Sequence, residues 1–185
     1  MIKVLIADDQ ELIRESLKIV LGANEDMEVT GIAENGEQVL SEIKKEKPNV
    51  ILMDIRMPGI DGVECTRLVK EKYPDIYIIV LTTFDDDEYI YDALKYGASS
   101  YLLKGVSLEE LYQAILTVVN GGGVIQPQIA IKAMRMFSDM AKNQVESDFS
   151  TVEAQHLSLT EWKIIASVAN GLSNREIAME LSFTE

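Results

Sequence analysis

The sequence is poor in the residues that build disulfides, zinc sites and hydrolase triads. It contains one cysteine, Cys65, and one histidine, His156, among 185 residues. A single cysteine excludes an internal disulfide, and a single histidine leaves little for a zinc site or a Ser-His-Asp triad. We therefore expect structural or incidental roles for both residues.

Basic charge and long apolar runs are also scarce. Lys and Arg number 17 against 31 Asp and Glu, which gives a formal net charge of -14. Bulk charge of this sign does not attract a phosphate backbone, so DNA contact would need a local basic face or a further segment. No apolar run approaches the length of a membrane span, and the opening MIKVLIADDQ lacks a basic leader followed by a cleavage site. These features predict a cytoplasmic protein with no membrane partner.

What the sequence does contain is a regular alternation of strand and helix patterns. Short runs rich in Val, Ile, Leu and Tyr predict five strands, at residues 2–7, 28–33, 49–54, 76–83 and 99–104. Apolar residues at three- and four-residue spacing predict five helices, at residues 10–22, 36–47, 61–73, 86–97 and 107–120. Strict alternation predicts an α/β domain with a parallel five-stranded sheet between helices. Functional groups should then lie at the carboxyl ends of the strands.

The last third of the chain has a different organisation. After the glycines at 121–123, a helix is predicted from about Gln128 to Ala141, followed by a polar linker without periodicity at 142–156. One side of that helix is apolar and is expected to pack against a neighbouring domain; it consists of Ile129, Ala133, Met136, Phe137 and Met140. The predicted domains are 1–120, a linker region at 121–156 and a helical domain at 157–185.

Five chemically suitable side chains fall at the predicted strand ends. Asp8 and Asp9 follow the first strand, Asp54 closes the third, Thr82 ends the fourth and Lys104 ends the fifth. In a flavodoxin-like strand order they surround one cleft. Clustered carboxylates repel one another, and an oxygen-rich site that lacks several ligands suits Mg²⁺. An Asp beside such a metal can attack a phosphoryl group, while a lysine offsets the charge and a hydroxyl donates to a phosphoryl oxygen.

Simpler interpretations exist for the single residues and for the whole cluster. Asp9 could simply be the N-terminal cap of a helix that starts near Gln10. The acids at 85–88 could simply interact favourably with the positive end of the dipole of the fourth helix. An Asp-nucleophile phosphatase is an alternative function, although Arg56 stands two residues after Asp54, where the common phosphatase pattern has Asp. A protein-interaction module that acts without phosphorylation is another.

The stretches LIADDQ, LMDIRMPGIDG, VLTT and YLLKG, in this order and spacing, resemble the receiver domain of bacterial two-component response regulators. The resemblance covers about residues 1–120 and implies a flavodoxin-like (βα)5 fold. It implies that Asp54 is phosphorylated by a sensor histidine kinase. It also implies that Asp8, Asp9 and Asp54 hold Mg²⁺ together with the backbone carbonyl of Arg56.

The same resemblance assigns a switch. It implies that Thr82 and Lys104 contact the phosphoryl group and that Tyr101 changes its rotamer with Thr82 on activation. Many receivers have proline after this lysine, whereas this chain has Gly105. Phosphorylation is expected to shift the population of two conformations and to promote a homodimer.

The stretch LTEWKIIASVANGLSNREIAMEL predicts two short helices. Thr160 can cap the first, Gly171 can end it, and Ser173 with Glu176 forms a capping box for the second. Two helices joined by ANGLS are the first elements of a helix-turn-helix arrangement, and a generic helical hairpin is the alternative.

This stretch is similar to the DNA-binding domain of the NarL/FixJ (LuxR-type) response regulators. In that family a third helix enters the major groove. SFTE at 182–185 resembles the turn before it, so this chain is expected to be a truncated form without the recognition helix. DNA is therefore an expected partner only of the complete C-terminal domain.

Overall fold

A parallel sheet of five strands organises the chain in the computed structural model, which describes residues 1–83 and 87–138. The strands are β1 (Ile2–Ala7), β2 (Met27–Ala33), β3 (Val50–Met53), β4 (Tyr77–Thr82) and β5 (Ser100–Leu103). Their spatial order is β2-β1-β3-β4-β5, and every pairing is parallel. This order confirms the predicted flavodoxin-like fold, and it places the carboxyl ends of β1 and β3 side by side.

Five helices cover the sheet. They are α1 (Glu11–Gly22), α2 (Gly36–Lys45), α3 (Gly62–Lys72), α4 (Asp87–Lys95) and α5 (Leu108–Val119). Side-chain caps fix several of the starts. Asn35 accepts the N–H of Gln38 in α2, Asp61 accepts the N–H of Glu64 in α3, and Ser107 forms a capping box with Glu110 at α5. Helices α3 and α5 therefore begin one residue inside the predicted ranges, because the capping residue itself is not helical, whereas α2 begins at the predicted residue 36. None of the helices that the structure describes is long and apolar enough to cross a membrane.

Alternating residues of the central strands serve the two sides of the sheet. Val4 and Ile6 of β1 pack in the apolar cluster that contains residues of α1 and α5, whereas Leu5 and Ala7 pack in the cluster of α2 and α3. All four residues of β3 are buried. Burial on both faces explains why these strands are almost continuously apolar.

The chain after α5 stays with this domain as far as Met136. Residues 127–138 are helical, as predicted, and Ile129 and Ala133 of the predicted apolar side are buried, whereas Phe137 of that side is 49% exposed. Residues Met1–Met136 form one compact unit. The end of the predicted helix at 139–141, the linker at 142–156, the predicted helix-turn-helix elements at 157–185 and the acids at 85 and 86 lie outside the described residues.

Candidate metal centre at the carboxyl edge of the sheet

Three carboxylates meet where β1 and β3 end. Ala7 pairs with Met53 in neighbouring strands, so the residues that follow, Asp8 and Asp54, are adjacent. The N–H of Asp54 donates to the carbonyl of Ala7 at 2.8 Å. One carboxylate oxygen from each of Asp8, Asp9 and Asp54 lies within 4.8 Å of the others. The structure therefore brings the three predicted metal ligands together.

Lys104 reaches the same point from β5. Its Nζ lies 2.6 Å from Oδ2 of Asp8 and 2.8 Å from Oδ2 of Asp54. Its backbone N–H donates to the carbonyl of Thr82, at 2.6 Å, so the ends of β4 and β5 are joined at the site. Asp8 is 2% exposed and Asp54 is 3% exposed, whereas Asp9 is open to solvent. Two buried carboxylates thus share one ammonium group.

Burial and charge act against each other in this cluster. Burial raises the pKa of Asp8 above its ordinary value, although hydrogen bonds from Lys104 and from the N–H of Gln10 oppose the shift. Burial lowers the pKa of Lys104, but hydrogen bonds and charge from Asp54 and Asp8 outweigh it, so the pKa lies above its ordinary value. The three carboxylates outnumber the single ammonium group that contacts two of them.

The donor set fits a hard divalent cation. All three groups offer carboxylate oxygens, which Mg²⁺ prefers, and the exposure of Asp9 leaves space for the waters that Mg²⁺ keeps. A divalent cation would also supply the positive charge that Lys104 alone does not provide. The structure thus supports the chemistry expected of the cluster.

The turn that carries Asp8 and Asp9 is held by a residue that the sequence argument missed. Nη1 of Arg14 donates to the carbonyl oxygens of Asp8, at 2.7 Å, and Asp9, at 2.9 Å. The alternative in which Asp9 caps the helix does not hold: in the described chain the N-cap of α1 is Gln10, whose side chain makes no capping bond, and Oδ1 of Asp8 accepts the Gln10 N–H at 2.9 Å. A signal was present, because Arg14 lies in the first turns of the helix that directly follows the two acids.

A second missed residue, Gly62, supports the backbone of Asp54. A Cβ built on Gly62 would lie 1.9 Å from the Asp54 carbonyl oxygen, which no side chain tolerates. The N–H of Gly62 donates to the carbonyl of Ile55 at 2.8 Å, and the N–H of Ile55 donates to Oδ1 of Asp54 at 2.7 Å. The start of α3 therefore packs directly on the turn that orients the Asp54 carboxylate.

Thr82 and Tyr101 occupy buried positions on neighbouring strands. Thr82 is the last residue of β4, and its register partner on β5 is Leu103, two residues beyond Tyr101. Both side chains are completely buried, and both take part in interactions with neighbours. Tyr101 lies in the apolar cluster that also contains Ile90 of α4. The structure places the two residues near each other, and their coupled movement stays a prediction.

Arg56 lies at the mouth of the site. Its side chain is exposed, and its guanidinium carbon lies 5.6 Å from the centre of the Tyr89 ring. Both residues line a cavity of about 570 Å³ together with Asp9 and Met57. Of the three clustered carboxylates, that of Asp9 lines this cavity. The role of the Arg56 carbonyl as a metal ligand stays a prediction.

Gly105, which stands where many receivers have proline, adopts a conformation that proline cannot. Its φ is +114°, and proline is restricted to a φ near −65°. The backbone of the loop between β5 and α5 therefore differs, just after Lys104, from that of receivers that have proline at this position.

Comparison with known proteins gives consistent matches. The family described as response regulator receiver domain matches residues 4–116. The chain is 38% identical over 189 residues to the transcriptional regulatory protein LnrK of Bacillus subtilis (strain 168), an alignment that covers 100% of this chain and 84% of LnrK. It is 35% identical over 192 residues to the transcriptional regulatory protein DegU of Brevibacillus brevis, covering 100% of this chain and 81% of DegU.

A solved structure shows the same fold. The crystal structure of a two-component response regulator of the LuxR family from Aurantimonas sp. SI85-9A1 aligns with a TM-score of 0.68 and 23% identity. The alignment covers 75% of this chain and 99% of the other. At this identity the likeness bears on the fold alone.

Proposed function

We propose, since this chain belongs to the LuxR-type response regulators of two-component systems, that Asp54 accepts a phosphoryl group from a sensor histidine kinase. The observation that carries the proposal is the arrangement of charges at the carboxyl edge. Asp54 lies within 4.8 Å of two further carboxylates, and the ammonium group of Lys104 contacts it at 2.8 Å.

The transfer is a displacement at phosphorus. A carboxylate oxygen of Asp54 forms a bond to phosphorus, the bond between phosphorus and the donor breaks, and the donor leaves with the electron pair. The N–H of Ile55 fixes the rotation of the Asp54 carboxylate. Lys104, already beside Asp54, offsets the charge of the phosphoryl oxygens, and the hydroxyl of Thr82 donates to one of them.

Asp8, Asp9 and Asp54 would hold Mg²⁺, with the backbone carbonyl of Arg56 as a further ligand. When bound, Mg²⁺ offsets negative charge on the group that is transferred. The distances among the three carboxylates and their oxygen chemistry support this assignment.

The protein acts as a regulator that is phosphorylated once and not as an enzyme that turns over a small substrate. Its relatives are named as transcriptional regulators. Thr82 and Tyr101 would form the switch: movement of Thr82 toward the phosphoryl group leaves the space that the inward Tyr101 ring requires. The burial of both residues supports this arrangement.

The output would be DNA binding. We assign residues 1–120 to the receiver, 121–156 to a linker region with one helix, and 157–185 to the N-terminal part of a LuxR-type helix-turn-helix DNA-binding domain. The alignments with LnrK and DegU extend over the whole chain, which supports a shared organisation. We also propose that phosphorylation promotes a homodimer, as in the family to which the chain belongs. A cytoplasmic location is proposed because the kinase that donates the phosphoryl group and the DNA that the regulator binds are both reached from the cytoplasm.

The proposal is tested by intact mass after incubation with acetyl phosphate. We expect one added phosphoryl group in the presence of Mg²⁺, and none with EDTA or in Asp54→Ala. Asp75→Ala is the control, because Asp75 is an exposed aspartate whose ion pair is with Lys47. Equal phosphorylation of Asp54→Ala and the unsubstituted chain would contradict the proposal, and an absence of phosphorylation in both would favour an interaction module.

A further inference from the structure

The segment after α5 is bound to the edge of the sheet by its backbone. The N–H of Tyr101 donates to the carbonyl of Val124 at 3.2 Å, and Tyr101 forms a parallel bridge with Ile125. One residue further along, Oε1 of Gln126 accepts the N–H of Leu103 at 3.0 Å. The edge of β5 is therefore occupied by a segment of the same chain.

The helix that follows closes the side formed by α4 and β5. Ile129 is 0% exposed and Ala133 is 6% exposed, and both lie in the apolar cluster of Tyr101 and Ile90. At the rim, Nζ of Lys132 lies 3.9 Å from a carboxylate oxygen of α4. Residues 124–133, which we call the docked segment, thus cover the Tyr101 ring.

The docked segment and the carboxylate site share the strand β5. Gln126 holds the backbone of Leu103, and the next residue is Lys104, whose Nζ contacts Asp8 and Asp54. Tyr101 lies two residues earlier on the same strand. Tyr101 and Leu103, which contact the docked segment, therefore lie within three residues of Lys104, which contacts the carboxylates.

We propose that binding of the docked segment is thermodynamically linked to phosphorylation of Asp54, an inference that rests on the proposed function. An outward Tyr101 ring would need the volume that Ile129 and Ala133 fill, and a close-packed interior has no spare space. The docked segment therefore excludes the outward ring and favours the phosphorylated form. Because linkage is reciprocal, phosphorylation must strengthen docking to the same degree.

Hydrogen–deuterium exchange of the full chain tests the first half of this statement. Exchange is followed by mass spectrometry in peptides that contain residues 99–106 and 124–133, before and after incubation with acetyl phosphate and Mg²⁺. We expect exchange in both regions to slow by about fivefold or more on phosphorylation. Unchanged exchange in a chain that carries the phosphoryl group would overturn the inference.

A matched pair of isoleucines tests the second half. Ile129→Ala removes side-chain atoms from the covered face, whereas Ile131→Ala removes the same atoms from a residue of the same helix that is 53% exposed. We expect the half-life of the phosphorylated form to shorten by about fivefold or more in Ile129→Ala and to stay unchanged in Ile131→Ala. Equal half-lives in the two variants would overturn the inference.

A second pair keeps the test valid if Ile129→Ala does not fold. Gln126→Ala removes the acceptor of the Leu103 N–H, and Gln128→Ala changes an exposed glutamine two residues away. The first should shorten the half-life and the second should not. A chain that gains no phosphoryl group at all would overturn the proposed function and this inference with it. Normal phosphorylation without any effect of the docked segment would overturn the inference alone.

Discussion

Replacing Lys104 with methionine would leave two buried carboxylates without the ammonium group that they share. Nζ of Lys104 lies 2.6 Å from Asp8 and 2.8 Å from Asp54, and its side chain is 11% exposed. Methionine has a similar length and no charge, so the substitution removes the two contacts without opening a large cavity. The carboxylates would then repel each other in a poorly solvated site.

The size of the effect follows from this burial. Removing one partner of a buried ion pair destabilises a protein by about 3–5 kcal/mol, because the remaining charge is left buried and unpaired. We expect a loss of this order in the free energy of unfolding near neutral pH when EDTA is present. Mg²⁺ should restore part of it, since a divalent cation among the three carboxylates replaces the lost charge.

The loss should shrink as the pH falls. Burial already raises the pKa of Asp8 above that of the unfolded chain, so the folded chain holds this proton more tightly. Ionisation of Asp8 therefore lowers stability as the pH rises through the folded pKa, and the stability is regained as the pH falls. Without Lys104 the pKa rises further, and protonation then relieves more of the repulsion.

Urea denaturation followed by circular dichroism measures these effects. Curves are compared for the unsubstituted chain and Lys104→Met near neutral pH and at about pH 5, with EDTA or Mg²⁺. Lys45→Met is the control, because Lys45 pairs with Glu42 at the surface and should shift the midpoint little. A loss below about 1 kcal/mol in Lys104→Met, or one that grows at low pH, would refute the reasoning.

Three further substitutions or reactions test separate contacts. Gly62→Ala should lower the free energy of unfolding by about 1–3 kcal/mol or more, since the new Cβ meets the Asp54 carbonyl. Gly22→Ala is the control: in the described chain nothing lies within 4 Å of a Cβ added to Gly22, so this substitution should raise the free energy of unfolding by up to about 1 kcal/mol. Arg14→Met should weaken Mg²⁺ binding about tenfold in calorimetric titration, because the turn loses two anchors, whereas the exposed Lys18→Met should not. Burial raises the pKa of the Cys65 thiol to about 12, so iodoacetamide should alkylate Cys65 slowly in the folded chain and rapidly in urea; rapid alkylation of the folded chain would contradict its burial.

Much of the fold and the residues at the strand ends could be predicted because both depend on local patterns. A buried parallel strand is continuously apolar, so its carboxyl end is marked by the first polar residue, as at Asp54. The exact first and last residues of the strands are harder to predict, because an apolar pattern reports burial and not hydrogen bonding to a neighbouring strand. Ile76 belongs to the predicted fourth strand and is completely buried, yet β4 begins at Tyr77, because burial and strand pairing are separate properties.

The supporting residues were missed because their roles depend on distant parts of the chain. The contact between Gly62 and the Asp54 carbonyl exists because α3 returns to the end of β3, and sequence spacing does not report that distance. In the sequence Gln126 is an ordinary polar residue of a loop, and its role depends on a contact with Leu103, which lies 23 positions earlier in the chain. Arg14 was closest to being predictable, since its two acceptors lie on the turn just before its own helix.

The most direct test of the account is to locate the phosphoryl group on the chain. After incubation with acetyl phosphate and Mg²⁺, borohydride reduces an aspartyl phosphate to homoserine, and peptide sequencing by mass spectrometry identifies the position. We expect homoserine at position 54 and aspartate at positions 8 and 9. Homoserine at position 8 or 9, or a phosphorylated chain with unmodified Asp54, would contradict it.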